Sequence, residues 1–200
     1  MKYVRKYSGE KKFEINIAGL KRTLPVVSVA NGVWIASNAE LVLGDVEFIS
    51  TVARELAGRI KQFNPEVIVT PEAKSLAIAY EVARQLGHKR YIVARKSVKA
   101  YMQGVLIEEV KSITTREPQI LVLSSRDASY IKGKRVCILD DVVSTGGTLR
   151  ALENLVLKAG GIIACRAAVW LEGPWCKDKD IIFLSVLPVF VEKMEVLRVD

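Results

Sequence analysis

Two adjacent carboxylates stand between a run of apolar residues and a loop of small polar residues, in residues 136–148. The apolar residues 136–139 predict a buried strand, and a helical pattern begins at Leu149. Between them, Ser, Thr and Gly residues allow backbone N–H groups to approach an anion closely, and the helix N-terminus adds partial positive charge. The stretch therefore predicts a phosphate site at the end of a strand.

The two carboxylates, Asp140 and Asp141, are unsuited to the phosphate itself because like charges repel. They suit a neighbouring group that needs hydrogen-bond acceptors, such as ribose hydroxyls or a bound cation. Spacing alone does not separate these two roles, so both stay open at this point. As residues at a strand end, both acids are expected to be exposed when no ligand is bound.

Residues 136–148 resemble the phosphoribosyl-pyrophosphate (PRPP) signature of the type I phosphoribosyltransferases: apolar residues, two acids, a few variable residues, then Thr-Gly-Gly-Thr. The resemblance implies that Asp140 and Asp141 are catalytic and accept hydrogen bonds from the ribose, directly or through a hydrated Mg²⁺. Mg²⁺ is the implied cofactor because it keeps waters and bridges diphosphate oxygens. The implied PRPP phosphate contacts are Val143, Ser144, Thr145, Gly146, Gly147 and Thr148.

A second strand-loop-helix junction occurs at residues 69–75, Val-Thr-Pro-Glu-Ala-Lys-Ser. It looks like the pyrophosphate loop of xanthine and adenine phosphoribosyltransferases, which often carries a cis peptide without proline. Taken alone, these residues suit an ordinary capped helix start with a solvated lysine. Beside the PRPP signature, a diphosphate loop is favoured, and the implied PRPP contacts are Glu72, Ala73, Lys74 and Ser75.

Arg95 and Lys96, at the end of a strand predicted over residues 91–94, resemble the Arg-Lys pair of purine phosphoribosyltransferases and are further PRPP contacts. Residues 97–118 are polar and lack firm periodicity, and they fall where the family has a mobile loop that closes over the active site. We therefore expect a lid there. Lys99 within it is expected to act catalytically beside the leaving diphosphate, although simple solvation explains it equally well.

Base recognition is expected beyond the strand predicted over residues 162–171. Adenine and xanthine enzymes tend to have a glutamate near this position, close to the base, which here is Glu172. Trp170 and Phe190 are aromatic residues that could stack on a purine ring. Equally, both are core aromatics.

Strands alternate with helices along the chain, which predicts an α/β fold with a central, mostly parallel sheet flanked by helices. The resemblance implies the type I phosphoribosyltransferase fold, with a small hood built from the termini. We expect one domain over residues 1–200, with a PRPP-binding core at 45–171 and a variable hood at 1–44 and about 172–200. Predicted helices cover 45–60, 73–86 and 149–159, and the other predicted strands are 66–70, 119–123, 134–140 and 181–187.

The chain has a net charge of +8, which would attract phosphate-bearing substrates. No apolar run is long enough to span a membrane, and the N-terminus lacks the apolar stretch of a signal peptide. Three cysteines without metal-binding spacing indicate a reducing, cytoplasmic environment. The expected partners are PRPP, a purine base and a second copy of the chain, with no membrane and no specific nucleic acid.

The implied function is transfer of the 5-phosphoribosyl group from PRPP to a purine base in salvage, with adenine first and xanthine or hypoxanthine-guanine second. The alternative is a PRPP-sensing transcription regulator without catalysis, since residues 112–126 have some likeness to the purine repressor of that kind. Residues 1–44 show no helical pattern for a DNA-binding domain, which favours the enzyme. A ribose-phosphate carrier or a pyrimidine-type enzyme is less favoured because the context of Arg95 and Lys96 looks purine-like.

Overall fold

The computed structural model describes residues 3–110, 119–176 and 180–193, which form two five-stranded sheets and a hairpin. The strands are β1 (Val4–Lys6), β2 (Lys12–Ile17), β3 (Leu20–Ala30), β4 (Val33–Ala36), β5 (Val67–Pro71), β6 (Ile92–Ala94), β7 (Val105–Val110), β8 (Gln119–Ser124), β9 (Arg135–Val143), β10 (Ile162–Glu172), β11 (Ile181–Leu187) and β12 (Val189–Val191). The helices are α1 (Ala39–Gly44), α2 (Val46–Ile60), α3 (Leu76–Gln85), α4 (Ser125–Ile131) and α5 (Gly147–Lys158), with a short 3-10 helix at Lys61–Phe63. None of the described helices is long and apolar enough to cross a membrane.

The central sheet is parallel throughout and has the strand order β11-β10-β9-β5-β6. Successive side chains of β9 enter opposite layers of the core: Cys137 and Leu139 pack with α2 and α3, whereas Val136 and Ile138 pack with α5. The apolar run in the sequence is continuous because both faces of this sheet are covered. The carboxyl ends of parallel strands therefore meet at one edge, where ligands of such sheets bind.

The second sheet brings the two ends of the chain together in the order β1-β12-β4-β3-β2. Strand β12 runs parallel to β1 and antiparallel to β4. This sheet is the hood that the resemblance implied, and with the parallel sheet it confirms the predicted α/β architecture. Helix α1 follows β4 directly and leads the chain from the hood to α2.

The expectation of an irregular stretch over residues 97–118 is wrong in part. Strands β7 and β8 form an antiparallel hairpin, and residues 111–118 lie outside the described structure. The alternation in β7 is obscured by Glu108, whose carboxylate points inward, pairs with Lys158 and accepts a hydrogen bond from Asn154. A charged residue on the inward face hides a strand from a hydrophobicity pattern.

Candidate active site

Two adjacent cavities open at the carboxyl edge of the central sheet, with volumes of 190 Å³ and 130 Å³. The larger one is bounded by the predicted diphosphate loop and the smaller one by the predicted phosphate loop. The residues that line both cavities are Val110, Gln119, Asp140, Val142 and Thr148. The structure thus brings both predicted loops and the paired acids to one place, under the β7–β8 hairpin.

The phosphate loop connects β9 to α5. Gly146 takes a φ of 79°, a left-handed conformation that glycine adopts without steric cost, and its carbonyl accepts from the Arg150 N–H at 3.0 Å. The Arg150 guanidinium also donates to the Thr145 carbonyl at 3.1 Å. These bonds turn the loop so that residues 143–148 line the smaller cavity at the start of a helix. The strand, loop and helix follow one another as the sequence predicted.

Asp140 and Asp141 are buried, with 6 % and 5 % of their surfaces exposed. The expectation that both acids would be exposed is wrong, because β9 continues through them to Val143 and pairs with β10 along this length. The Asp140 carboxylate accepts from the Asp141 N–H at 2.8 Å. Burial, and then the neighbouring charge of Asp141, raises the pKa of Asp140 well above its usual range.

The diphosphate loop carries Lys74 into this acidic pair. Its ammonium lies 2.9 Å from Asp141 Oδ2, and the amide of Asn38 donates to the same oxygen at 2.9 Å. The Lys74 ammonium also lies 3.4 Å from Asn38 Oδ1, so three side chains form a closed cluster. Sequence reasoning missed Asn38, because no local pattern links it to an acid 103 residues later.

The Glu72–Ala73 peptide of the same loop is cis, as the resemblance implied. Beneath the loop, the buried Thr70 hydroxyl donates to the Leu139 carbonyl at 2.8 Å and lies 3.0 Å from the Ser75 hydroxyl. Ser75 in turn donates to the Pro71 carbonyl at 3.1 Å. The Ser75 hydroxyl therefore fixes the loop on β5, and Thr70 links β5 to β9. Ser75 is also among the residues that line the larger cavity.

Glu72 anchors the basic pair that follows β6. Its carboxylate accepts from the Lys96 N–H and from Arg95 Nε, each at 3.0 Å. The Lys96 N–H bond, with the charges of Arg95 and Lys99, lowers the pKa of Glu72. Glu72 thus faces cations, and Lys96 is the member of the pair that lines the larger cavity. Lys99 is half-buried nearby.

Glu172 ends β10 beside the acidic pair. Burial raises the pKa of its carboxyl to about 7, and the charge of Asp141 adds to this effect, while Lys74 and the Ser144 hydroxyl oppose it. A carboxyl group that changes charge near neutral pH, close to Asp141, Lys74 and Ser144, is suited to hold or exchange a proton.

The two aromatic residues predicted to stack on the base lie in the core. Trp170 is fully buried and stacks on Phe48, with ring centroids 5.5 Å apart. Phe190 is 1 % exposed and meets Phe13 edge to face. Neither ring has a free face for a purine, so the stacking prediction is corrected to a packing role.

The donor set at the cavity fits a hydrated Mg²⁺ better than a dedicated metal cage. Within the described parts of the chain, no three His, Cys, Asp or Glu side chains converge as a metal-binding group. Asp140 and Asp141 are two carboxylates at one cavity. Mg²⁺ commonly takes one or two protein carboxylates, several waters and the phosphate oxygens of its substrate.

The sequence and the fold match known proteins. Residues 45–196 match the phosphoribosyl transferase domain family. An adenine phosphoribosyltransferase of Thermosipho africanus is 32 % identical over 151 residues, which are 73 % of this chain and 85 % of that protein. An orotate phosphoribosyltransferase of Pelotomaculum thermopropionicum is 31 % identical over 124 residues, and this match spans 62 % of the chain but only 54 % of that longer relative.

Among solved structures, an adenine phosphoribosyltransferase of Thermoanaerobacter pseudethanolicus has the same fold. Its TM-score is 0.65 at 24 % identity, over 88 % of this chain and 95 % of that one. A purine phosphoribosyltransferase of Pyrococcus horikoshii gives a TM-score of 0.52 at 23 % identity, over 68 % of this chain and 80 % of that one. The chain therefore belongs to the type I phosphoribosyltransferases, in the purine branch of that family.

Proposed function

We propose that this protein transfers the 5-phosphoribosyl group from PRPP to a purine base, with adenine as the first choice and xanthine or hypoxanthine-guanine as the second, and releases pyrophosphate. The observation that carries the proposal is that the two cavities at the sheet edge are adjacent and share lining residues. The phosphate loop, the paired acids and the diphosphate loop follow one another along them. Each part suits a different piece of one PRPP molecule.

In this proposal the 5-phosphate lies on the backbone N–H groups of residues 144–148, where a helix begins. The diphosphate lies on residues 72–75, near Lys96 and the Arg95 that Glu72 holds in place. The ribose then falls between the two loops, at Asp140 and Asp141. Mg²⁺, when bound, would neutralise charge on the diphosphate, and the two acids are the residues suited to hold its water shell.

The reaction breaks the bond between the ribose C1 and the diphosphate oxygen and forms a bond from C1 to a nitrogen of the base, which loses a proton. Cation-like charge develops on the ribose, as in glycosidic chemistry. The protein would position the two substrates, neutralise the leaving group with Lys74, Lys96 and Lys99, and exclude water. Glu172, at the end of β10, is the residue proposed to contact the base.

Adenine is the first choice because relatives named as adenine enzymes match most of this chain. The orotate relative, at similar identity, supports a pyrimidine base as the second candidate class. The test is the initial rate of nucleoside monophosphate formation from PRPP and Mg²⁺ with adenine, hypoxanthine, guanine, xanthine or orotate. Adenine should react fastest, whereas product from orotate alone would overturn the purine assignment.

A pair of lysine variants controls that assay for charge. Lys74→Ala removes the ammonium beside Asp141, and Lys89→Ala removes an exposed ammonium just before β6, at the opposite edge of the sheet. Both lower the net charge by the same amount. Only Lys74→Ala should slow the transfer, and equal rates for the two variants would contradict the placement of the diphosphate.

We further propose that the protein works in the cytoplasm as a homodimer within purine salvage. Large apolar side chains are exposed at Leu43 (61 %), Val46 (76 %) and Tyr80 (56 %). Val46 and Tyr80 line one open surface cavity, and exposed apolar surface of this kind suits a subunit contact. The cysteines Cys137, Cys165 and Cys176 are free, which suits a reducing compartment. Light scattering should give twice the chain mass of 22.2 kDa, and a monomer at all concentrations would contradict the dimer.

A further inference from the structure

Asn38 reaches the active site from outside the two loops that the family signature covers. It is 5 % exposed, and it lies between the hood strand β4 and the short helix α1. Both ends of its side-chain amide are in use: Nδ2 donates to Asp141 and Oδ1 faces the Lys74 ammonium. A buried amide satisfied at both ends has a single orientation.

The side chain of Asn38 does not cap its own helix. Its backbone carbonyl accepts from the N–H groups of Leu41 and Val42, but its side chain makes no capping bond. Asn at this position commonly turns its side chain onto the first free N–H groups of the helix. Asp45, at the start of α2, does so by accepting from the Phe48 N–H at 2.9 Å. The amide of Asn38 serves the site instead.

The binding of a diphosphate would disturb the ion pair between Lys74 and Asp141. The Lys74 ammonium is half-exposed and lies on Asp141, whose side chain is 7 % exposed. If Lys74 turns to the diphosphate, Asp141 loses its cationic partner. A buried carboxylate left without a partner is strongly unfavourable.

We infer that Asn38 is a positioning residue that keeps Asp141 hydrogen-bonded while Lys74 transfers from that carboxylate to the diphosphate of PRPP. The Asn38 amide is a neutral donor on the oxygen that Lys74 contacts, so it stays when the ammonium leaves. The inference rests on the proposed function, because it takes PRPP as the ligand.

The test is PRPP affinity, measured by calorimetry with Mg²⁺ and without base, in a double-mutant cycle of Asn38→Ala and Asp141→Asn. Loss of a buried hydrogen bond to a charged group should weaken PRPP binding about tenfold or more in the Asp141 background. In the Asp141→Asn background there is no carboxylate that could lose its hydrogen-bond partners, so Asn38→Ala should change the PRPP affinity little. Asn38→Asp keeps the acceptor for Lys74 but loses the donor, so it should also bind PRPP weakly.

Asp45→Ala is the matched control, because it removes a real helix cap next to α1 and lies away from the cavity. It should lower the melting temperature and leave PRPP affinity unchanged, whereas Asn38→Ala should lower PRPP affinity. Equal losses from Asn38→Ala in both backgrounds would mean that Asn38 only attaches the hood. Wild-type affinity in Asn38→Ala or Asn38→Asp would also overturn the inference. If wild-type protein does not bind PRPP, the proposed function itself fails.

Discussion

At the scale of single residues, burial decides how the acids at the cavity behave. Asp140 and Asp141 are adjacent in sequence, but Asp141 has Lys74 and Asn38 as donors, while Asp140 accepts from a backbone N–H. Glu172 lies beside them with a strongly perturbed carboxyl group. Groups of this kind weaken the fold and serve function, a combination common at active sites.

Glu172 gives a pH-dependent prediction. The pKa of its carboxyl is 4.5 in the absence of the fold and about 7 in the folded protein, so the folded protein holds this proton more tightly. The contribution of Glu172 to the free energy of unfolding is therefore highest below pH 4.5 and falls as the pH rises to about 7. Glu172→Gln removes that loss and should be more stable than wild type above neutral pH, by up to about 3 kcal/mol.

Urea unfolding of wild type and Glu172→Gln across this pH range measures the effect. Glu14→Gln, at an exposed glutamate of β2, should follow wild type at every pH. A stability difference between Glu172→Gln and wild type that stays constant with pH would show that burial does not perturb this carboxyl.

Asp140 carries the second prediction at this scale. Asn has nearly the same shape, and burial already raises the pKa of Asp140, so Asp140→Asn should fold with unchanged or higher stability. The variant cannot offer a charged acceptor to the ribose or to hydrated Mg²⁺, so its kcat/KM should fall roughly 10- to 100-fold. Thermal unfolding and steady-state kinetics on the same sample separate the two effects. Normal turnover in a stable Asp140→Asn variant would show that Asp140 does not take part in the reaction.

At the scale of elements, the turn between β9 and α5 is the part on which phosphate binding depends. Gly146 and Gly160 precede and follow α5, with φ values of 79° and 75°, so Ala at either position is strained by about 1 kcal/mol or more. A Cβ at Gly146 would also lie 2.9 Å from the Arg150 guanidinium. Gly146→Ala and Gly160→Ala should both lower the melting temperature, but only Gly146→Ala should weaken PRPP binding. Equal PRPP affinity in the two variants would contradict the assignment of phosphate binding to the turn between β9 and α5.

Elements were predictable from sequence wherever the signal was local. The helix predicted from Asp45 matches α2, and the strand predicted over residues 181–187 matches β11. Both were predictable because a helix cap and an apolar run each depend on residues that are neighbours in the sequence. Strand β7 was missed because Glu108 pairs with Lys158 on a helix that comes much later in the chain.

The candidate site divides in the same way. Its two loops were predictable from motif resemblance, whereas the burial of Asp140 and the role of Asn38 depend on contacts between distant segments. The prediction that Trp170 stacks on the base failed for the same reason. The sequence does not show whether an aromatic ring near a strand end faces the site or the core, and the Trp170 ring packs on Phe48 in the core.

At the scale of the whole molecule, the net charge of +8 acts on one substrate and not on the other. PRPP carries several negative charges, so the positive potential of the protein should raise its association rate, and added salt should screen this attraction. A purine base is neutral and should feel little effect. We expect the KM for PRPP to rise between low and high NaCl while the KM for adenine stays nearly constant. Parallel changes in both constants would indicate a general effect of salt on the fold.

The central claim is transfer of a phosphoribosyl group at the edge of the parallel sheet. The most direct test is to incubate the protein with PRPP, Mg²⁺ and adenine, and to quantify the nucleoside monophosphate and the pyrophosphate formed. The two products should appear in equal amounts, in proportion to the protein added, and should form roughly 10- to 100-fold more slowly with Asp140→Asn. Pyrophosphate with ribose 5-phosphate and no nucleotide, or unreacted PRPP with every base tested, would contradict the claim.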